Sequence, residues 1–253
     1  MMAVITDSPL AANILGTLGA VFWSIQLLPQ IWKNYRRHST EGFQPSFMLL
    51  WAVAGIPLGI YNIVGDQNIP LWIQPQILSA LSLVTWGQCY YYGRRWSLKL
   101  CICAVVGLAV FLGGVETAGI LSFRLIVIRG NGINWPLYLM ASLAALLLSL
   151  GVLREYLQIY RHRSTAGISI LFIILDALGD LTSLLSILFE TKPFIFGIIA
   201  YATELMLWIG IIIYYSVEHL CGNIVISSNH AISNETNLEL QAADRVDPLT
   251  VCF

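Results

Sequence analysis

The sequence predicts an all-α membrane protein with seven transmembrane helices, arranged as two parallel three-helix bundles joined by a linker helix. Hydrophobic residues make up 57% of the 253-residue chain and charged residues only 11%, whereas an average soluble domain has about 25% charged residues. Most of its charge-free runs exceed the roughly 20 residues that a helix needs to cross hydrocarbon. An internal repeat within these runs indicates how the helices are grouped.

Charged residues and turn residues divide the chain into seven predicted spans. Their bounds are 10–32, 45–64, 70–92, 99–119, 136–157, 168–189 and 193–216. Outside them lie a short N-terminus, residues 1–9, a loop at 120–135 and a tail at 217–253. The tail is rich in Ser, Asn, Asp and Glu and has no helical stripe, a composition that predicts disorder.

The basic residues predict the orientation of these spans. Nine of the thirteen Lys and Arg residues follow spans 1, 3 and 5: Lys33, Arg36, Arg37, Arg94, Arg95, Lys99, Arg154, Arg161 and Arg163. Loops rich in Lys and Arg stay in the cytosol. We therefore expect a lumenal or extracellular N-terminus, a non-cytosolic 120–135 loop and a cytosolic tail.

The repeat appears when the sequence is compared with itself at an offset of 125 positions. Five identities then fall within eight positions: Tyr35 with Tyr160, Arg36 with Arg161, Ser39 with Ser164, Thr40 with Thr165 and Gly42 with Gly167. This indicates two three-helix repeats, residues 10–92 and 136–216, joined by span 4 at 99–119. Because the linker adds one crossing to three, both repeats enter the membrane in the same direction. Parallel repeats of this kind usually bind substrate near the midplane between them.

The stretch "LPQIWKNYRRHSTEGFQPSFMLLWAVAGIPLG" resembles the signature of the PQ-loop repeat family, and "GISILFIILDALGD" resembles its second repeat in fungal proteins. The resemblance covers roughly residues 10–216. It implies a 3+1+3 arrangement of seven helices, as in SWEET-type sugar transporters. The relatives it implies include vacuolar and lysosomal exporters of cystine or cationic amino acids, and a retrieval receptor with the same fold.

Pro29 and Gln30 are predicted to form a hinge in the first span. Proline cannot donate a backbone hydrogen bond and its ring crowds the preceding turn, and we expect Gln30 to satisfy the carbonyl left free, because hydrocarbon offers no water. The resemblance implies that this pair lets the helix end swing during alternating access. The second repeat has Arg154 and Glu155 at these positions, so either its bundle is stiffer or transport has been lost.

Acidic residues within the predicted spans are the strongest functional signal. Asp176 and Asp180 lie four residues apart on one face of the sixth span, and Glu204 lies at the centre of the seventh. An Asp at the centre of a membrane helix costs about 2.5 to 3.5 kcal/mol on an insertion scale, so such residues indicate function. We expect the three to converge on one cavity and to carry protons or contact substrate. Glu116, near the end of span 4, is left as a residue that reaches water.

Weaker candidates for lining the substrate site are amides and hydroxyls within the spans: Gln26, Asn62, Gln76, Ser79 and Tyr201. Each suits an interhelical hydrogen bond equally well. The five cysteines show no metal or redox spacing. The sequence also shows no pairing of a nucleophile with a base and no phosphate-binding loop. It predicts no cofactor, no metal site, no nucleic-acid partner and no enzymatic activity.

The favoured function is proton-coupled export of cationic or neutral amino acids across a vacuolar or lysosomal membrane. The predicted partners are a small-molecule substrate, protons and the lipid bilayer, and a homo-oligomer is left open. Two alternatives remain at this point. One is a receptor or scaffold of the same fold that transports nothing, and the other is a sugar facilitator that works without protons.

Overall fold

The computed structural model describes residues 8–66, 69–129, 135–189 and 198–220, and this part of the chain is helical without any strand. The helices are α1 Pro9–Ile25, α2 Leu27–Arg37, α3 Pro45–Val64, α4 Ile69–Gln88, α5 Leu98–Arg129, α6 Trp135–His162, α7 Ile170–Leu188 and α8 Ile198–Leu220. A π-helical turn, Cys89–Gly93, extends α4. Residues 1–7 of the predicted N-terminus, residues 130–134 of the predicted loop and residues 221–253 of the predicted tail lie outside the described residues.

Six helical segments of the described chain are long and apolar enough to cross a membrane, which makes this a multi-pass membrane protein. They are Leu10–Arg37, Pro45–Val64, Leu98–Ile126, Trp135–His162, Ile170–Leu188 and Ile198–Leu220. The third predicted span corresponds to α4, which is not among the six. Its 20 residues include Gln74, Gln76, Ser79 and Ser82, and these polar side chains lower its mean hydropathy.

The helices extend beyond several of the predicted span ends. α5 runs to Arg129, past the predicted end at 119, and α6 runs to His162, past the predicted end at 157. Residues 120–129 contain neither Gly nor Pro, the residues that most often end a helix. A charged residue ends an apolar run, but it does not interrupt the backbone hydrogen bonding of a helix.

The first membrane segment is interrupted between α1 and α2. Helical hydrogen bonding breaks at Gln26, although its backbone angles of −53° and −39° remain helical. Pro29 lies three residues further on and has no N–H to donate to the Ile25 carbonyl. The interruption therefore lies where the proline weakens the helix, and the direction of the chain changes little.

Helix packing follows the internal repeat. α1 packs mainly against α7, and α3 packs mainly against α6 and α4, while α4 also contacts α1 and α2. Since the repeat pairs the first span with the fifth and the second with the sixth, the α1–α7 and α3–α6 contacts are equivalent under the repeat. We call α1–α4 the first half and α6–α8 the second half.

Small residues allow the close approach of α1 and α7. A Cβ at Gly16 would lie 3.0 Å from the Ser186 hydroxyl, and one at Gly19 would collide with Ser183. The Ser186 hydroxyl donates a hydrogen bond of 2.7 Å to the Ala12 carbonyl. Small residues at helix interfaces are typical of membrane proteins, where van der Waals contact and interhelical hydrogen bonds replace the hydrophobic effect.

An aromatic cluster fills the centre between the halves. It contains Phe47 and Trp51 of α3, Phe172 of α7 and Trp208 of α8, all of which are buried. The Phe47 and Trp51 rings are 4.7 Å apart, and the Phe172 and Trp208 rings are 5.3 Å apart. The Trp51 indole also donates a 3.1 Å hydrogen bond to the Leu148 carbonyl of α6.

Two turns of similar geometry join the first two spans of each repeat: the first turn, residues 38–44, and the second turn, residues 163–169. Each begins with a residue of left-handed φ, 46° at His38 and 52° at Arg163. Each is closed by a 3.1 Å backbone hydrogen bond, from Phe43 to Thr40 and from Ile168 to Thr165. The turns contact each other where a Cβ at Gly167 would collide with the backbone of Gly42.

We predict that Gly167→Ala destabilises the protein by about 1–3 kcal/mol, the usual effect of overpacking, because its methyl group would meet the backbone of Gly42. Thermal unfolding followed by tryptophan fluorescence in detergent measures this. Gly107→Ala on α5 is the matched control, since a Cβ there meets nothing within 4 Å and alanine favours a helix by roughly 0.5–1 kcal/mol over glycine. A Gly167→Ala protein as stable as the parent would contradict the contact.

Candidate functional site

The three acids predicted to act together do lie together. Asp176 and Asp180 lie one turn apart on α7, with exposed fractions of 1% and 0%, and Glu204 on α8 is 3% exposed. Glu204 is close enough to both aspartates for direct charge interaction. The arrangement concentrates three carboxyl groups in the protein interior rather than at the lipid or water surface.

The polar atoms of this acid cluster, Asp176, Asp180 and Glu204, are only partly hydrogen-bonded. Both carboxyl oxygens of Asp180 and Oδ2 of Asp176 are buried without a partner. The Trp23 indole lies beside Asp180 and the Trp208 indole lies beside Asp176, but neither indole nitrogen makes a hydrogen bond of ordinary geometry. Buried polar groups are nearly always satisfied, so these atoms indicate a site that binds something.

Both halves contribute to the surroundings of the acid cluster. Trp23 comes from α1 and stacks edge-on against Tyr201 of α8, with the ring centroids 5.5 Å apart. Tyr201 also interacts with Asp180 and Glu204, with Tyr61 of α3, and with the Ser183 hydroxyl. The cluster therefore lies at the interface between the halves, which is where parallel repeats usually bind substrate.

The charge of the acid cluster limits its chemistry. Within the described residues, no Lys, Arg or His interacts with any of the three carboxyls, and no group of three potential metal ligands is found there. Ionised carboxylates in such a place need compensation. Protons or a cationic ligand would supply it, and an anionic ligand would not.

The weaker candidates occupy different places. Gln26 is 1% exposed and its Oε1 has no partner, and it lies one turn from Trp23. Tyr201 is part of the acid cluster's surroundings. The other three are engaged within α3, α4 and α5: Asn62 donates to the Leu71 carbonyl, Gln76 to Glu116 at 2.5 Å and Ser79 to the Ala52 carbonyl. Glu116 is accordingly buried and does not reach water as an exposed residue would.

The PQ loop repeat family matches residues 11–71 and 156–196. Two regions of the chain are therefore similar to the PQ loop repeat. The first match includes α1, α2, the first turn and α3, and the second includes the second turn and α7. This confirms the resemblance that the Pro-Gln stretch predicted.

Three proteins illustrate what this chain is similar to. An uncharacterized protein of Schizosaccharomyces pombe is 42% identical over 71% of this chain and 63% of its own length. Cystinosin of Drosophila melanogaster is 29% identical over 72% of this chain and 49% of its own length. The vacuolar histidine transporter of Saccharomyces cerevisiae is 26% identical over 38% of this chain and 32% of its own length. The chain thus matches less than two thirds of each relative.

In the first PQ-loop repeat, Gln30 has partners other than the expected one. We expected it to satisfy the carbonyl freed by Pro29, but its amide nitrogen donates to Asn34 at 2.8 Å and to the Gly167 carbonyl at 3.1 Å. Its amide oxygen accepts a 2.6 Å bond from the Ser169 N–H. Gln30 therefore holds the second turn, and this correction follows from an approach between the halves that the local sequence does not reveal.

Two basic residues of α2 hold the same turn. Lys33 donates a 2.5 Å hydrogen bond to the Ile168 carbonyl, and Arg37 donates a 2.6 Å bond to the Ala166 carbonyl. From the sequence, these cations predict only orientation, yet each also satisfies a backbone acceptor of the second half. Arg36, in contrast, lies over the Trp32 ring at 5.8 Å.

Glu155 of α6 is a buried acid that is not among the predicted site residues. It was interpreted only as a departure from the Pro-Gln pair, although it is 0% exposed. The signal was present in the repeat, because Glu155 aligns with Gln30 and a residue aligned with a buried glutamine is expected to be buried too.

We predict that Asp180→Asn keeps or raises the melting temperature, because the carboxyl makes no hydrogen bond that an amide would lose. Gln30→Leu is the matched comparison, because Gln30 is also buried but its side chain has hydrogen-bond partners. Losing its bonds leaves buried backbone groups of the second turn unsatisfied, at about 1–3 kcal/mol each. Thermal unfolding of both variants at neutral pH measures this, and a large loss in Asp180→Asn would show that its carboxylate has a structural partner.

Proposed function

We propose that this protein is a transporter of small polar solutes in which the acid cluster alternates between the two sides of the membrane. The proposal includes a 3+1+3 arrangement of seven spans, with α4 as the third. Supporting it, α4 packs against α1, α2 and α3, and its Gln74 and Ser82 side chains are buried in protein. A polar span is tolerated in a bilayer when it faces other helices.

The observation that carries the proposal is the acid cluster with its unpartnered carboxyl oxygens. Three buried acids without a basic partner would weaken a purely structural bundle. They are suited to bind protons and the ammonium group of an amino acid, so we propose proton-coupled export of cationic or neutral amino acids. The relative that is a vacuolar histidine transporter supports this substrate class and a vacuolar or lysosomal membrane.

The orientation proposed here has the N-terminus in the lumen and the C-terminus in the cytosol. It follows from the positive-inside rule. The first and second turns then lie on the cytosolic side, together with Lys33, Arg37 and their backbone partners.

We predict that neutralising the acid cluster abolishes the response to a proton gradient. Parent protein in liposomes should take up labelled Lys, Arg or His faster when a gradient is imposed. Asp176→Asn, Asp180→Asn and Glu204→Gln should each reduce this acceleration by roughly 5- to 150-fold, the usual range of coupling between sites. The control is Glu41→Gln, which removes an exposed carboxylate of the first turn.

The other outcomes of this transport experiment distinguish the proposed transporter from the two alternatives. Gradient-driven uptake that survives in all three variants would overturn the role of the acid cluster. Uptake of labelled glucose that ignores the gradient would favour the sugar facilitator instead. Absence of uptake for Lys, Arg, His, cystine and glucose, with correctly folded protein, would favour the receptor.

The receptor alternative has one observation in its favour. The second repeat lacks the Pro-Gln pair, and α6 runs without interruption for 28 residues, whereas the first membrane segment is interrupted at Gln26. A half without a hinge moves as a rigid body. In a receptor neither half needs to change shape.

We predict that Pro29→Ala stabilises the first membrane segment and slows uptake, because alanine restores the hydrogen bond to Ile25. Proline in a helix interior is about 3 kcal/mol less favourable than alanine. Pro45→Ala is the matched control, since Pro45 begins α3, where proline is tolerated. Uptake unchanged by Pro29→Ala would contradict the hinge role. The role of the acid cluster is tested separately, by the neutralising variants.

A further inference from the structure

Glu155 is a buried acid outside the acid cluster, and its position is defined by the repeat. At the offset of 125 positions it aligns with Gln30, just as Gln44 of the first turn aligns with Ser169 of the second. Its side chain is 0% exposed. The transport mechanism proposed above makes no use of it.

The two aligned side chains make one equivalent hydrogen bond. Gln30 accepts from the Ser169 N–H at 2.6 Å, and Glu155 accepts from the Gln44 N–H at 3.3 Å through Oε2. In each case a side chain on the first span of one repeat holds the turn of the other repeat. Gln44 also donates a 3.4 Å side-chain bond to Gln158, the residue aligned with Lys33.

The second bond of Gln30 has no counterpart at Glu155. The Gln30 amide nitrogen donates to the Gly167 carbonyl, whose aligned acceptor is the carbonyl of Gly42. The corresponding atom of the acid, Oε1 of Glu155, is buried without a partner. An ionised carboxylate only accepts hydrogen bonds, whereas a protonated carboxyl also has one O–H to donate.

We propose that Glu155 binds a proton in this conformation, so that its O–H replaces the amide donor of Gln30 and holds a backbone carbonyl of the first turn. Docking of the first turn on α6 then requires the proton. When the proton leaves to water, a buried carboxylate remains without a compensating charge, and the first turn separates from α6. The second turn is held by Gln30, whose amide does not titrate, and by Lys33 and Arg37.

The groups that face Glu155 do not supply that charge. The π-helical turn after α4 brings Cys89, which interacts with Glu155 and lies against Thr40. α8 meets α6 through Tyr156, whose hydroxyl donates to the Leu207 carbonyl. Arg154, which precedes Glu155, and Glu41, which lies three residues before Gln44, are exposed, as are His38 and His162. Among the described residues, Gln44 is the only group hydrogen-bonded to the carboxyl.

Cys89 is a reporter for this docking because its thiol is 2% exposed and lies beside Glu155. The experiment uses the full chain with Cys101, Cys103, Cys221 and Cys252 replaced by alanine. The rate of maleimide labelling of Cys89 is measured in detergent from mildly acidic to mildly alkaline pH. Glu155→Gln copies the first repeat and keeps the donor at every pH.

The labelling rate of the Glu155 protein should equal that of Glu155→Gln at acidic pH and exceed it by roughly tenfold at alkaline pH, as expected for one buried group left unsatisfied. The negative charge of Glu155 beside Cys89 disfavours the thiolate in the parent and would slow its labelling, so a faster parent rate at alkaline pH reports the opening. Glu41→Gln, which removes an exposed carboxylate of the same turn, should behave like the parent. A ratio near one at every pH would overturn the proposal, and so would fast labelling of Glu155→Gln at acidic pH.

The reverse exchange tests the same idea when Glu155→Gln does not fold. Gln30→Glu is made in a protein carrying Ser169→Cys as the reporter thiol, because the Ser169 N–H bonds Gln30. Labelling of this cysteine should rise with pH more steeply than in the Gln30 parent, in which Lys33 but no carboxyl holds this turn. Equal profiles for both proteins would overturn the proposal. Neither readout involves transport, so failure here and failure of the acid cluster are distinguished.

Discussion

The two turns between membrane helices depend on partners from the opposite half. Non-helical backbone has free N–H and C=O groups, and near the bilayer these must be satisfied by protein. Gln30, Lys33 and Arg37 together bond the backbone of residues 166–169, and Glu155 bonds the backbone of Gln44. This reciprocal docking, with the Gly42–Gly167 contact, fixes how the halves meet at that end.

The same arrangement produces an asymmetry with functional consequences. One turn is held by an amide and two cations, while the other is held by a carboxyl and by Gln158. A glutamine has one protonation state, whereas a glutamic acid has two. The two docking contacts therefore differ in whether the aligned side chain, Gln30 or Glu155, can gain or lose a proton.

The acid cluster extends the asymmetry into the centre of the molecule. The offset of 125 positions aligns Asp176 with Trp51 and Asp180 with Gly55, so the first half has an aromatic ring and a glycine where the second half has carboxyls. Trp51 is engaged with the Leu148 carbonyl, while the aspartates have unpartnered oxygens. At these aligned positions the first half thus contributes a packed and hydrogen-bonded ring, and the second half contributes the unpartnered carboxyl oxygens.

Much of this was predictable from the sequence because it depends on local composition. Apolar runs determine the helices, the offset of 125 determines which helices are equivalent, and the acids at 176, 180 and 204 stand out because carboxyls are rare in hydrocarbon. α5 and α6 extend past the predicted ends of their spans, because the end of an apolar run is not the end of a helix. The bonds of Gln30 to the second turn and of Glu155 to Gln44 join residues more than 20 positions apart. Only the tertiary structure decides these contacts, because the side chain of one half satisfies the backbone of the other only after the halves have met.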